Sequence, residues 1–157
     1  MGIVRVIGLG NEWSGDDAVG LIAAQKLREK NIPDIEVRVT DVPDWEMFEK
    51  LVSDDVLIFI DACDGGGEAG AIYQLHSDEI MERGVRHCSS HGLGLSHWLS
   101  MAEVLGKKTG RILIYAIEIG DVTMGSGLSK KVENAIPKVL NMIEKKIAGL
   151  SMETAHA

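Results

Sequence analysis

Cysteine, proline and positive charge are what this sequence has least of. Two cysteines, Cys63 and Cys88, in 157 residues exclude a disulfide framework and fit a reduced, cytoplasmic compartment. Sixteen Lys and Arg against 24 Asp and Glu leave a formal net charge of -8. That balance excludes a broad nucleic-acid or anionic-lipid surface and favours a partner that carries a cation or a metal. No apolar run approaches the length of a membrane span. Met1-Gly2-Ile3-Val4-Arg5 lacks a basic stretch followed by a long apolar one, so no signal peptide is expected, and Val6 stands where myristoylation needs Ser or Thr. Gly-Lys-Ser/Thr is absent, which excludes a P-loop. Gly-x-Ser-x-Gly is absent too, which leaves Ser89 and Ser90 poor candidates for a hydrolase nucleophile. Three prolines beside 18 glycines suit an α/β fold with many tight turns. At 45% hydrophobic the chain can bury one sizeable core, so a single domain is expected over 1–149, with a frayed tail over 150–157.

What is present is an alternation of buried strands and amphipathic helices. Ile3 to Gly8 reads as a first strand, and Asp16 to Lys30 as a helix with Val19, Ile22, Ala23 and Leu27 on one face. Ile35, Val37 and Val39 alternate with polar residues, the pattern of a half-exposed strand near a sheet edge. A short helix is predicted from Asp44 to about Val52, with Trp45, Phe48 and Leu51 or Val52 as its stripe. Val56 to Ile60 is continuously apolar, as a central strand is, and is expected to stop at Asp61. The gap from Gly65 is too short for a helix, so Ala71 to Leu75 is expected to return antiparallel. A helix from Leu93 to Leu105, a buried strand from Arg111 to Ile117 and a last helix from about Ser129 complete the order. Pro137 is expected to bend that helix. The fold class is therefore α/β: a twisted, mostly parallel five-stranded sheet with one antiparallel strand and helices on both faces.

Three residues that could carry chemistry fall at strand ends or in the loops around them: Asp17, Asp61 and His91. Two carboxylates and an imidazole suit a divalent transition metal and leave coordination positions open. Each has a plainer alternative. Ser14-Gly15-Asp16-Asp17 fits a capping box with Asp17 bonded back to Ser14. Asp61 could be a turn former, and His91, beside Gly92, a loop histidine bonded to backbone. Cys88 with His87 or His91 raises thiolate catalysis, but the spacing is not diagnostic and free cysteine is commonly a small buried hydrophobe. His76 and His156 read as surface residues, and His97 lies inside a helix. Gly8-x-Gly10 begins like a dinucleotide fingerprint, but Trp13 occupies the third glycine position. Asp16 and Asp17 would repel a pyrophosphate at that helix start.

Taken together the motifs resemble the hydrogenase maturation endopeptidases. Gly8-x-Gly10-Asn11 followed by Asp16-Asp17 and Gly20 is similar to that family's opening. Ile60-Asp61-Ala62, Ser90-His91-x-Leu93-Gly94-Leu95, and Ile117-Glu118 through Gly125-x-Gly127-Leu128-Ser129 to Ala135-Ile136-Pro137 follow in the family's order. The resemblance implies an aspartic-type, metal-dependent hydrolase. Its partner would be the nickel-loaded precursor of a nickel–iron hydrogenase large subunit, from which it removes a short C-terminal extension. Nickel, supplied by the substrate, would be the recognition signal, with Asp17, Asp61 and His91 as both metal-contacting and catalytic residues. A cytoplasmic monomer is expected. The chain departs from the family at Trp13 and Ala18, and at Asp41-Val42-Pro43, where many members have Asp-Gly-Gly. That last change opens an alternative, a non-catalytic metal-sensing or maturation-complex binding module on the same fold.

Overall fold

The structure, a computed structural model, describes residues 2–41, 45–50, 54–77, 92–106 and 111–156. Strands are β1 (Val4–Leu9), β2 (Ile35–Thr40), β3 (Val56–Cys63), β4 (Ile72–His76) and β5 (Arg111–Glu118). Helices are α1 (Val19–Glu29), α2 (Trp45–Glu49), α3 (Gly92–Val104) and α4 (Lys130–Ala155). The sheet order is β2-β1-β3-β5-β4. Every pairing is parallel except β4 with β5. Among the described residues no helix is long and apolar enough to cross a membrane.

Side-chain alternation along the strands divides the interior into two cores. Ile58, Ile60 and Ala62 point to the face covered by α1 and α4. Leu57 and Phe59 point to the other face, where Met47 of α2 and Leu95, Trp98 and Leu99 of α3 cover them. Phe59 and Trp98 meet edge to face at 5.8 Å between ring centroids. The layering follows from period 2 in the strands meeting period 3.6 in the helices. β2 is an edge strand, as expected, but all six of its residues are half-buried where alternation predicts one face in and one face out.

Glycine decides how closely α1 sits on the sheet. A Cβ on Gly20 would fall 2.2 Å from the Leu9 carbonyl oxygen and 2.3 Å from that of Ile60. One on Gly8 would meet the Gly20 oxygen at 2.4 Å and the Ala24 Cβ at 2.5 Å. Helix propensity alone makes Gly→Ala stabilising by about 1 kcal/mol. Here the obstructing atoms are backbone, so the overpacking term wins. Gly20→Ala is expected to destabilise the fold by about 3 kcal/mol or more, read as a lower urea midpoint.

Three details differ from the sequence expectation. β3 does not stop at Asp61 but runs to Cys63, because β5 pairs with it residue for residue through Glu118. In α2 the described buried side chain is Met47, 6% exposed. Residues 42–44 and 51–53 lie outside the described residues, as do the side chains of Trp45 and Phe48. α4 continues past Gly149 to Ala155, where fraying from residue 150 is expected. Ser151 and Thr154 hydroxyls donate to carbonyls one turn back, and Arg111 reaches Glu153.

Candidate functional site at the carboxyl ends of β1 and β3

Five acids are buried among the described residues: Asp16, Asp17, Asp55, Asp61 and Glu118. Asp55 belongs to the opposite, amino end of the sheet. It accepts from the Ile3 amide and from the Arg5 guanidinium, which also reaches Glu36. The other four gather at the carboxyl end. From β1 the chain leaves toward β2, and from β3 it leaves toward β4 and β5. The reversal of direction lies between β1 and β3, and open α/β sheets bind ligands in the crevice at such a point.

Asp17 lies in the 3-10 turn Gly15–Ala18 that joins β1 to α1, and is 5% exposed. That turn packs against β3. The capping box does not form: Ser14 makes no side-chain cap bond, and its hydroxyl meets the Met124 sulfur at 3.3 Å. The Asp17 backbone carries the turn instead, donating to the Ser14 carbonyl at 2.9 Å and accepting from the Asn11 amide at 3.2 Å. A Cβ on Gly10 would come within 2.2 Å of the Asp17 carbonyl oxygen, so the glycine is what lets the turn close.

Asp61 is fully buried within β3, paired with Ala116 of β5. One of its oxygens accepts from the Ala62 amide at 2.8 Å. Alternation directs Asp61 to the same face as Leu57 and Phe59, the face that α3 covers. α3 begins at Gly92, the residue after His91. His91 itself lies outside the described residues, as do His87, Cys88, Ser89 and Ser90. Among the described residues no three His, Cys, Asp or Glu side chains converge into a metal-binding group. His76, His97 and His156 are exposed.

Asp16, in sequence only a charge at the helix start, is a clamp. Its carboxylate accepts from the amides of Gly120 and Asp121 at 2.8 Å, from the Ser129 amide at 2.6 Å and from the Ser129 hydroxyl at 2.8 Å. Its own amide donates to the Asp121 carbonyl at 2.7 Å. It thereby fastens the turn that bears Asp17 to the loop between β5 and α4.

Glu118 is the second acid that sequence reasoning passed over, taking it for a strand end. It faces Cys63 across the ladder and is 1% exposed. It accepts from the Gly65 amide at 2.7 Å, from the Gly67 amide at 3.1 Å and from the Cys63 thiol at 3.4 Å. Desolvation and the adjacent Glu118 charge push the Tyr73 hydroxyl above the ordinary phenol range, so it stays protonated. Glu118 thus shapes the glycine loop that follows β3. The signal available in sequence was that run of glycine amides two residues past a strand, a ready anion receptor.

A mostly parallel five-stranded sheet of order β2-β1-β3-β5-β4, with two buried carboxylates near its switch point, defines the class: a single-domain, doubly wound α/β protein. Residues 25–146 match the family model described as HycI, hydrogenase maturation protease. The chain belongs to the hydrogenase maturation protease family. The matched span includes Asp61 and His91, while the Gly8 to Gly20 stretch precedes it. HupD of Thiocapsa roseopersicina, a hydrogenase expression/formation protein, is 23% identical over 143 residues, covering 88% of this chain. The aligned region spans 65% of that relative, less than two thirds of its length. The fold matches the hydrogenase maturating endopeptidase HybD from E. coli with a TM-score of 0.81, at 22% identity over 94% of this chain and 93% of that one. It also matches the [NiFe] hydrogenase maturation protease HybD from Thermococcus kodakarensis, with a TM-score of 0.72 at 24% identity over 91% of this chain and 97% of that one.

Proposed function

We propose that this chain is an endopeptidase that removes the C-terminal extension of a nickel–iron hydrogenase large-subunit precursor after nickel insertion. The bound nickel belongs to the substrate and serves as the recognition signal. Asp17, Asp61 and His91 complete its coordination and hold the scissile bond beside it. The observation that carries this reading is that two buried carboxylates, Asp17 and Asp61, lie on elements that pack together at the switch point of a maturation-protease fold. The donor set fits: carboxylate and imidazole together suit a borderline divalent metal such as nickel. A metal bound there would polarise a carbonyl or activate water. The protein's part is to exclude solvent and fix the donors. Asp61 is locked by its Ala62 bond within a paired strand, and Asp17 by a turn closed on glycine. The protein would act as a cytoplasmic monomer on a precursor that already carries its metal.

The test is to incubate the protein with nickel-loaded and nickel-free precursor and follow the large subunit by mass spectrometry. Only the nickel-loaded form is expected to lose its C-terminal peptide. Equal cleavage of both forms would remove the metal from recognition. Binding of the loaded precursor without cleavage would identify a non-catalytic sensing module instead.

A further inference from the structure

The loop after β1 and the loop after β5 are tied together. The Gly125 amide donates to the Trp13 carbonyl at 2.9 Å, and the Trp13 amide donates to the Asn11 side chain at 3.0 Å. The Ser14 hydroxyl lies on the Met124 sulfur, and the Asp16 clamp fixes both loops from below. On this anchored backbone stand three large apolar side chains in solvent: Trp13 at 65% exposure, Met124 at 69% and Val122 at 50%. A rigid loop that spends a tryptophan on solvent has the makings of an interface hot spot, because little freedom is left to lose on binding. Trp13 also walls a cleft of about 400 Å3 that opens between the first loop and the end of β2, with Leu21 and Val39 at its apolar side. Of the described residues that line this cleft, Glu12 and Asp41 are acidic and none is basic. Nearby, Asp121 is held below the ordinary carboxylate range by hydrogen bonds from the Thr123 hydroxyl and amide. Its charge persists across the neutral range.

We infer that Trp13 and Met124, with Glu12, form the docking surface for a segment of the large-subunit precursor that presents an apolar side chain beside a cationic one. This rests on the proposed peptidase function and adds where and how the substrate is held. The occupant follows from charge complementarity: an acidic cleft beside an apolar platform selects a basic, partly apolar segment over an acidic one. Trp13 and Met124 hold the precursor and leave the chemistry to the buried acids.

The experiment measures binding and processing separately on the nickel-loaded large-subunit precursor of the same cells. Binding is read by calorimetry, processing by mass spectrometry over a precursor titration. Trp13→Ala is expected to weaken binding about 30-fold and to raise KM in step, with kcat within about two-fold. Trp13→Phe is expected to recover most of that loss. Glu12→Gln is expected to weaken binding about three-fold and to flatten its salt dependence. If the wild type processes the precursor and Trp13→Ala and Glu12→Gln bind like it, the docking surface is wrong and the peptidase reading stands. If the wild type binds without cleaving, and Trp13→Ala binds weakly, the surface stands and the peptidase reading falls. A fall in kcat for Trp13→Ala with binding and KM unchanged would also overturn it.

Discussion

Asp61→Asn is expected to stop processing of the precursor, at least about 1,000-fold, while leaving the fold as stable as the wild type or more so. The asparagine keeps the shape of the side chain and one carbonyl oxygen. That oxygen can still accept from the Ala62 amide, the bond the carboxylate makes at 2.8 Å. What is lost is one carboxylate oxygen, replaced by an amide nitrogen that cannot accept. Asp61 is fully buried inside β3, and the isostere keeps its volume, so packing is not weakened. A residue kept for stability would show the opposite pattern. Asp17→Asn is expected to behave alike, since its turn is held by backbone bonds that the substitution leaves intact. Mass spectrometry of the processed subunit and a thermal melt of each variant decide the matter. Wild-type processing rates in either variant would remove that carboxylate from the site.

Asp16→Ala, one residue away, is expected to do the reverse: to cost stability first. Its carboxylate receives four hydrogen bonds from Gly120, Asp121 and Ser129. Hydrogen bonds to a charged group contribute about 1.5–3 kcal/mol each, but four on one group do not add, and some released donors regain water. A loss of about 3–5 kcal/mol is expected. For a chain of this length that is a fall in melting temperature of roughly 10 °C. A urea titration with unchanged slope and lower midpoint checks it. A loss below about 1 kcal/mol would show that the loop after β5 holds its place by other means. Asp16→Asn should fall between, because one carboxylate oxygen accepts three of the four bonds and an amide can offer its oxygen on only one side.

These two adjacent acids show where sequence reasoning reaches its limit. Ser14-Gly15-Asp16-Asp17 reads as a local cap because its letters satisfy a local pattern. The donors that Asp16 takes lie more than 100 residues on, and no local pattern can announce them. Glu118 is alike: as a letter it ends an apolar run, and only the ladder sets it opposite Cys63 and above the glycine loop. The end of β3 shows the same limit. An aspartate reads as a strand breaker, yet β5 continues to pair and carries the strand to Cys63. In α2 the buried Met47 lies off the expected stripe of Trp45, Phe48 and Leu51 or Val52, whose side chains are outside the described ones.

The sequence by itself determined the element order, the exposed edge at β2 and the antiparallel return of β4, and it singled out Asp17 in the turn after β1 and Asp61 near the end of β3. Those follow from hydrophobic period, chain length between elements and the position of glycine, all of which are local. It also carried the motif order that names the family. The tertiary structure decided which of two neighbouring acids clamps a loop and which stands at the switch point. It decided too that Trp13 is presented on a fixed backbone beside an acidic cleft. Both depend on partners brought in from distant parts of the chain, and side-chain role is set by those partners once folding has assembled them.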